Sequence, residues 1–245
     1  IVLSSILVSV LGSYEFVWND LWLGVTILAL FLAIPVFIFT PNPIVTNETD
    51  KKFNTSTRLG FNLITFSYGL YGFGYVVLGT FISTMARDTS GLESTEAYVW
   101  LLVGLAGIPM VIFWPWFGKK IGNDLALFLA CLIMGIGILM PVIVDHKLGI
   151  IFAAILLGGT FIPITALAFL EGQSRYKGSI IVSTAILTSS FSIGQMVGPY
   201  FGGIIIDLFS SYDVALTISS ISLLFAAILM IHPNRFSSTK VINTP

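Results

Sequence analysis

Three tyrosines at helical spacing are the residues of this sequence best suited to contact a ligand. Tyr68, Tyr71 and Tyr75 lie within an uncharged run from Leu59 to Ala86, which is longer than the roughly 20 apolar residues that cross a bilayer. At 100° per residue they occupy a narrow arc of one helix face. A phenol can both donate and accept a hydrogen bond, so this face could line a polar cavity. Plain helix packing is the alternative.

A second set of polar side chains occurs in apolar runs further along the chain. Thr188 and Gln195 fall on one face of the run from Ser179 to Ile206, and Thr160 lies within Leu157–Phe161 (LGGTF). A buried amide needs partners for two donors and an acceptor, and lipid offers none. We therefore expect Gln195 to face a cavity, with a hydrogen bond between helices as the alternative. The segment around Thr160 fits either a bend or a ligand contact.

Small residues beside these polar side chains predict close helix contacts. Three glycines recur every fourth residue in one run, and two more flank the tyrosine arc. Missing side chains let neighbouring helices approach closely, and a proline inside a helix frees a backbone carbonyl and can bend it. The residues predicted to form packing and gating surfaces are Gly72, Gly79, Gly194, Gly198, Pro199 and Gly202.

The composition excludes several classes of protein. The chain is 56% hydrophobic and 9% charged, with mean hydropathy +0.98, whereas soluble domains carry about a quarter charged residues. The net charge of −1 and the lack of basic clusters argue against nucleic acid as a partner. One cysteine, Cys131, and two histidines, His146 and His232 at helix ends, exclude a disulfide framework and argue against a metal site, a cofactor or an embedded hydrolase.

The elements that position these residues are apolar spans, so the predicted fold is an all-α polytopic membrane protein. Seven spans are long enough to cross a bilayer: Leu21–Thr40, Leu59–Ala86, Ala97–Phe117, Leu125–Val144, Leu148–Leu170, Ser179–Ile206 and Val214–Ile231. None contains Lys, Arg, Asp or Glu in its interior. A shorter apolar stretch precedes them. We expect it to be the end of a truncated helix, with a cleaved leader as the weaker alternative.

A long polar segment, residues 41–58, divides the chain. It predicts four regions: residues 1–40 with the helix stub and one full helix, the loop 41–58, a six-helix bundle at 59–232, and a tail at 233–245. The connections between the last six spans are short, which favours antiparallel neighbours.

Basic residues alternate between the two sides of the predicted membrane. One side collects Lys51, Lys52, Arg58, Lys119, Lys120, Arg175, Lys177, Arg235 and Lys240, whereas the other holds only Arg87 and Lys147. Since cytoplasmic loops carry the excess of Lys and Arg, we expect the long loop and the C-terminal tail to be cytoplasmic. Trp100, Trp114 and Trp116 lie near the ends of one span, where interfacial anchoring is the expected role.

Three motifs, taken together and in order, resemble a known family. Tyr68–Phe81 (YGLYGFGYVVLGTF), Leu157–Phe161 (LGGTF) and Gly194–Pro199 (GQMVGP), followed by Gly202, are similar to the YbfB/YjiJ-like branch of the major facilitator superfamily. The resemblance covers nearly the whole chain, with the stub as the end of the fifth family helix and Leu21–Thr40 as the sixth. It implies twelve helices in two halves, with the substrate between the halves near the midplane.

This resemblance implies a secondary active transporter that moves a small organic solute by alternating access, present here as a fragment. The predicted substrate cavity is formed by Tyr68, Tyr71, Tyr75, Thr160, Thr188 and Gln195. The implied partners are membrane lipid, the solute, and missing N-terminal helices of the same chain. The implied location is a cell membrane, bacterial and multi-pass. Because no carboxylate lies inside these spans, we expect any proton-coupling group to lie in the missing helices, or transport to be uncoupled.

The turn Gly118–Asp124 lies where the family has a basic loop motif. Lys119 and Lys120 match its cations and Gly122 matches its glycine, but Asn123 and Asp124 replace the basic residues expected after it. The alternative to a transporter is a seven-helix receptor or sensor, which the span count alone would allow. No lysine lies within a span to carry retinal, and the long loop divides the spans as one plus six.

Overall fold

The computed structural model describes residues 1–14, 17–40, 58–89, 91–92, 96–144 and 146–231. In that part of the chain all regular structure is helical, and the helices are α1 (Val2–Ser13), α2 (Trp18–Phe39), α3 (Arg58–Asp88), α4 (Glu96–Ile121), α5 (Asn123–Ile143), α6 (His146–Arg175), α7 (Ile180–Phe209) and α8 (Tyr212–Met230). The predicted loop, apart from Arg58 at the start of α3, and the predicted tail lie outside the described residues.

The helices from α2 to α8 are long and apolar enough to cross a membrane, seven in all among the described residues. They run from 19 residues in α8 to 31 in α3, and α1, with 12, is too short. A helix satisfies every interior backbone donor and acceptor within itself, which is what the bilayer core requires. The prediction of an all-α membrane protein with seven spans and a shorter N-terminal helix is confirmed.

Some predicted helix ends were wrong. We expected one span to end at Leu170, but α6 continues to Arg175 and so takes Glu171 into the helix. Likewise α4 runs past Phe117 through both lysines to Ile121. Charged residues marked the expected ends, yet a helix continues past them when their side chains find partners or solvent.

The helices α3 to α8 pack as one bundle. Helix α3 packs on α7 and α8 and also touches α6, while α6 packs on α4 and α5, and α5 packs on α8. Outside this bundle α1 packs on α4, and α2 packs on α1. Large apolar side chains such as Phe37 (87% exposed), Ile112 (77%) and Met196 (76%) face outward. An outward apolar surface of this kind suits lipid rather than water.

Helices α3 and α7 approach so closely that their backbones touch. A Cβ added to Gly194 would overlap the carbonyl oxygen of Gly69, and one added to Gly72 would lie 2.5 Å from the carbonyl oxygen of Phe191. A Cβ at Gly198 would lie 2.6 Å from the carbonyl oxygen of Phe73. Only glycine fits such a crossing, as in membrane helix pairs with small residues at the interface.

The tryptophans of α4 divide between two environments. Trp114 is 4% exposed, and its Nε1 donates to the carbonyl oxygen of Gly159 on α6 at 3.0 Å. Trp100 is partly buried and donates from Nε1 to the hydroxyl of Ser83 at 2.9 Å. The expectation that Trp114 is an interfacial anchor was therefore wrong, because its ring joins two helices. Trp116, which is half exposed, keeps the environment of an anchor.

Candidate functional site

The three tyrosines of α3 form a continuous stack of rings. The ring centroids of Tyr68 and Tyr71 are 5.6 Å apart, and those of Tyr71 and Tyr75 are 5.0 Å apart. Phe191 of α7 lies against all three, with centroid distances of 4.8, 5.7 and 5.8 Å. The shared helix face thus exists, and an aromatic side chain from the neighbouring helix covers much of it.

Two of these tyrosines are part of the packed interior. Tyr68 is 1% exposed and Tyr71 is 0% exposed. The hydroxyl of Tyr71 donates to the carbonyl oxygen of Phe161 on α6 at 2.8 Å, which ties α3 to α6. A contact between either phenol and a solute stays a prediction, since both rings are enclosed by protein here.

The third tyrosine meets the predicted amide. The Nε2 of Gln195 on α7 donates to the hydroxyl of Tyr75 on α3, and both residues are partly exposed. The rings of Phe191 and Phe161 lie nearly parallel to that of Tyr75, at 5.8 and 6.3 Å. The structure therefore joins Tyr75 and Gln195 across the α3–α7 contact, with flat rings beside them.

The hydrogen bond between Tyr75 and Gln195 leaves a donor and an acceptor of the two side chains free to bind a ligand. With Nε2 of Gln195 donating to the phenol, the Tyr75 O–H and the Oε1 of Gln195 are left as a donor beside an acceptor. With the amide reversed, the NH₂ group and the phenol oxygen are left instead, again a donor beside an acceptor. Either arrangement can bind a group that presents an acceptor next to a donor, as an amide or lactam does.

Pro199 adds a further acceptor at the same place. It lies inside α7 and has no N–H, so the carbonyl of Gln195, four residues earlier, lacks its helical partner. Such freed carbonyls are hydrogen-bonding sites for side chains, water or ligands in membrane helices. Both the side chain and the main chain of Gln195 can therefore contribute.

The two predicted threonines do not join this pair. Thr160 is 2% exposed, and its hydroxyl donates back to the carbonyl oxygen of Leu156 at 2.6 Å. Thr188 is exposed on α7.

Among the predicted packing residues, Gly202 is buried next to Val77. A Cβ added at Gly79 would lie more than 4 Å from every atom of the described residues outside its own helix. The predicted roles of the two threonines and of these glycines stay predictions.

The predicted loop motif spans the end of α4 and the start of α5. Lys119 and Lys120 occupy the last turn of α4, where cations interact favourably with the helix dipole. The Nζ of Lys120 lies 3.9 Å from the ring centroid of Trp116. Gly122 joins the two helices with φ 99°, a backbone conformation that favours glycine. A tight turn explains the glycine, and its role in a transport motif stays a prediction.

The three cavities described next are lined by none of the six predicted cavity residues. One of about 460 Å³ lies between α1, α2, α4 and α6 and is bordered by Phe161. A second, about 850 Å³, lies where the start of α3 meets the end of α6 and the first half of α7. The third, about 380 Å³, is lined by Asp88 at the last residue of α3 and by Asp213 in the first turn of α8.

Sequence reasoning missed a buried ionic cluster. Arg175 is 1% exposed, and its Nε donates to Oε1 of Glu171 at 2.9 Å. Its Nη2 donates to the carbonyl oxygen of Met230 at 2.6 Å, and its Nη1 to that of Gly60 at 3.4 Å. By sequence, Arg175 falls only among the loop cations. The four-residue spacing from Glu171 was the available signal, because side chains four apart meet on a helix.

The chemistry available at these places is hydrogen bonding, ring contact and charge pairing. Within the described ranges, no three His, Cys, Asp or Glu side chains come close enough to hold a metal ion. Cys131 is buried, and its Sγ lies 3.3 Å from Sδ of Met230.

Comparison with known proteins gives one finding about the family. The family model described as the uncharacterised MFS-type transporter YbfB matches residues 1–231. No curated protein matches the chain.

Proposed function

The chain belongs to this YbfB family of major facilitator transporters, and from that premise we propose that it moves a small organic solute across the membrane by alternating access. It is a membrane protein of a transporter family, with helices long enough to span. The observation that carries the proposal is the Tyr75–Gln195 pair, which brings a phenol and an amide together midway along two apolar helices.

The pair favours an uncharged polar region of the solute. Neither α3 between Leu59 and Ala86 nor α7 between Ile180 and Ile206 contains Lys, Arg, Asp or Glu. A charged group bound there would lack a counter-ion in a low-dielectric setting, which is costly. A donor beside an acceptor, flanked by flat rings, instead suits a planar group with an amide-like edge.

The backbone contact between α3 and α7 supports a rocking motion. Because Gly194 and Gly198 bring the two helices into direct contact, α3 and α7 would move as one unit while other contacts open. Helix pairs that change position by small rigid shifts are a recurring route for such transitions. The predicted gating role of Pro199 would act within this unit.

The remaining details of the proposal follow the sequence. We propose a bacterial plasma membrane as its location, as the sequence resemblance implies. We propose a cytoplasmic C-terminus because basic residues concentrate on one side of the predicted membrane. Its partners would be membrane lipid and the solute. We propose transport without covalent change of the solute. The receptor alternative gains no support from the family match.

A binding test follows from the pair. The purified protein in detergent would be screened by thermal shift against uncharged planar organic compounds, and each hit titrated. Tyr75→Phe and Gln195→Leu should each weaken binding about tenfold, as expected for one or two lost hydrogen bonds. Tyr200→Phe, on an exposed part of α7, is the matched control. Equal affinity in all variants would remove the pair from the site.

Alternating access is tested separately. Gln195→Cys, made in a Cys131→Ala background, would be labelled in vesicles by a membrane-impermeant thiol reagent applied from either side. A bound solute should shift the ratio of labelling from the two sides. A ratio that never changes with a binding solute would contradict the transport cycle while leaving binding intact.

A further inference from the structure

The cavity of about 850 Å³ is the largest of the three, and its volume lies within the 300–1,000 Å³ typical of small-molecule sites. Its walls come from the first turns of α3, from the end of α6 with the residues that follow, and from α7. It contains none of the residues assigned to the Tyr75–Gln195 pair, so it needs a separate explanation.

One wall carries a hydroxyl without a partner. Oγ1 of Thr65 is buried and has no hydrogen-bond partner among the described residues, although Thr65 lines the cavity. Other hydroxyls in this region donate to a helix carbonyl: Ser67 to that of Leu63 at 2.7 Å, and Ser190 to that of Thr65 at 2.7 Å. Leaving a buried polar group unpaired is costly, which points to an acceptor supplied from outside the described residues.

The cavity also carries excess positive charge. Arg175 lines it, but the guanidinium is already paired with Glu171 and with two carbonyl oxygens. Lys177 lines it as well, is exposed, and forms no ion pair with a carboxylate of the described chain. Counting Arg175, Glu171 and Lys177 together leaves one positive charge, which a single anionic group would balance.

Aromatic side chains complete the lining. The rings of Phe61 and Tyr176 lie 4.6 Å apart at 49°, and both face the cavity, as does Phe66. Rings of this kind bury a ligand's apolar body, with a further gain from ring–ring contact. The site therefore combines one cation that forms no ion pair within the described chain, one unpaired hydroxyl and an apolar wall.

We propose that this cavity binds an organic monoanion with an aromatic or aliphatic body, such as an arylcarboxylate. Lys177 pairs with the anionic group, the hydroxyl of Thr65 donates to it, and the Phe61 and Tyr176 rings contact the body. This site is separate from the Tyr75–Gln195 pair and stands or falls independently of the proposed function.

Phenylacetate is a suitable probe, with phenylacetamide as its uncharged counterpart. Binding to the purified protein in phosphatidylcholine nanodiscs would be measured by isothermal titration calorimetry. Lys177→Met should raise the Kd for phenylacetate about tenfold, and Thr65→Val several-fold, as expected for lost charge-assisted and hydroxyl hydrogen bonds. Phenylacetamide should bind about tenfold more weakly than phenylacetate.

Matched controls separate binding from folding. Lys147→Met removes a lysine at the opposite end of α6, and Ser67→Ala removes a buried hydroxyl that already has a partner. Neither should change the Kd. Thr65→Val should leave the melting temperature unchanged or raise it, because it removes an unpaired group. A destabilised Thr65→Val protein would mean that the hydroxyl has a structural partner, against the proposal.

Three results would overturn the proposal. One is an absence of phenylacetate binding, and another is equal binding of phenylacetate and its amide. The third is loss of binding when phosphatidylglycerol is added to the nanodiscs, which would identify the occupant as an anionic lipid instead. Binding that survives phosphatidylglycerol and depends on Lys177 supports a water-soluble organic acid.

Discussion

The indole Nε1 of Trp114 donates to the carbonyl oxygen of Gly159, the carbonyl that Pro163 leaves without its helical partner. Pro163 lies inside α6 and has no N–H to offer four residues back. A tryptophan of α4 thus supplies the missing donor, at 3.0 Å. The crossing of α4 and α6 is tight at the same level, since a Cβ at Gly158 would overlap the carbonyl oxygen of Val103.

Replacing Trp114 with Phe should therefore lower the free energy of unfolding by about 1–3 kcal/mol, the cost of leaving a buried acceptor unpaired. Pro163→Ala restores the N–H, so Trp114→Phe should cost less in that background. A double-mutant cycle by chemical unfolding in detergent measures the coupling. Additive effects of the two changes would mean that the indole does not replace the proline's lost donor.

Gly194→Ala should destabilise the protein by about 1–3 kcal/mol, because its Cβ would overlap the Gly69 carbonyl and force α3 and α7 apart. Gly203→Ala, also on α7, is the control. Its Cβ meets open space, and alanine is the better helix former by about 1 kcal/mol. The melting temperature of Gly203→Ala should equal or exceed that of the parent protein. Equal melting temperatures for Gly194→Ala and Gly203→Ala would contradict the close contact between α3 and α7.

Arg175→Met should cost about 3–5 kcal/mol, since it leaves the Glu171 carboxylate buried without its cation. Removing both charges, with Glu171→Met added, should recover much of that loss. Lys119→Met, an exposed lysine at the end of α4, should change stability by less than about 0.5 kcal/mol. Unfolding midpoints of the four proteins check this ranking. A double variant no better than Arg175→Met would assign the cost to the lost carbonyl contacts.

Tyr71→Phe and Tyr75→Phe should have different consequences. Tyr71 is fully buried and its hydroxyl bonds to the Phe161 carbonyl, so its loss should cost about 0.5–1.5 kcal/mol of stability. Tyr75 is partly exposed, so removing its hydroxyl should change stability less than the Tyr71 change does, and solute affinity more. Parallel melting and binding curves decide this, and the reverse pattern would move the solute site from Tyr75 to Tyr71.

The spans were predictable because a bilayer permits few solutions. Runs such as Leu59–Ala86 could only be helices, and the shared face of Tyr68, Tyr71 and Tyr75 followed from helical periodicity. Their neighbours could not be predicted. Nothing in the order of residues states that Phe191 covers this face, because the side of a helix on which a distant segment packs depends on the whole bundle.

The environments of polar residues near helix ends were also not predictable from the sequence. Trp114 matched an interfacial anchor by its position, yet its partner is a carbonyl freed by a proline forty-nine residues later in the sequence. Thr65 drew no attention, because an unpaired hydroxyl differs from a satisfied one only in its surroundings. Such distinctions depend on contacts between distant segments, which a single sequence does not encode locally.

The guanidinium of Arg175 holds the carbonyls of Gly60 and Met230 in one fork, and these residues lie in the opening turn of α3 and the closing turn of α8. The beginning and the end of the six-helix bundle are therefore neighbours. A short peptide joining them should allow circular permutation, with new termini placed between α5 and α6, and the rearranged chain should keep the same helix contacts.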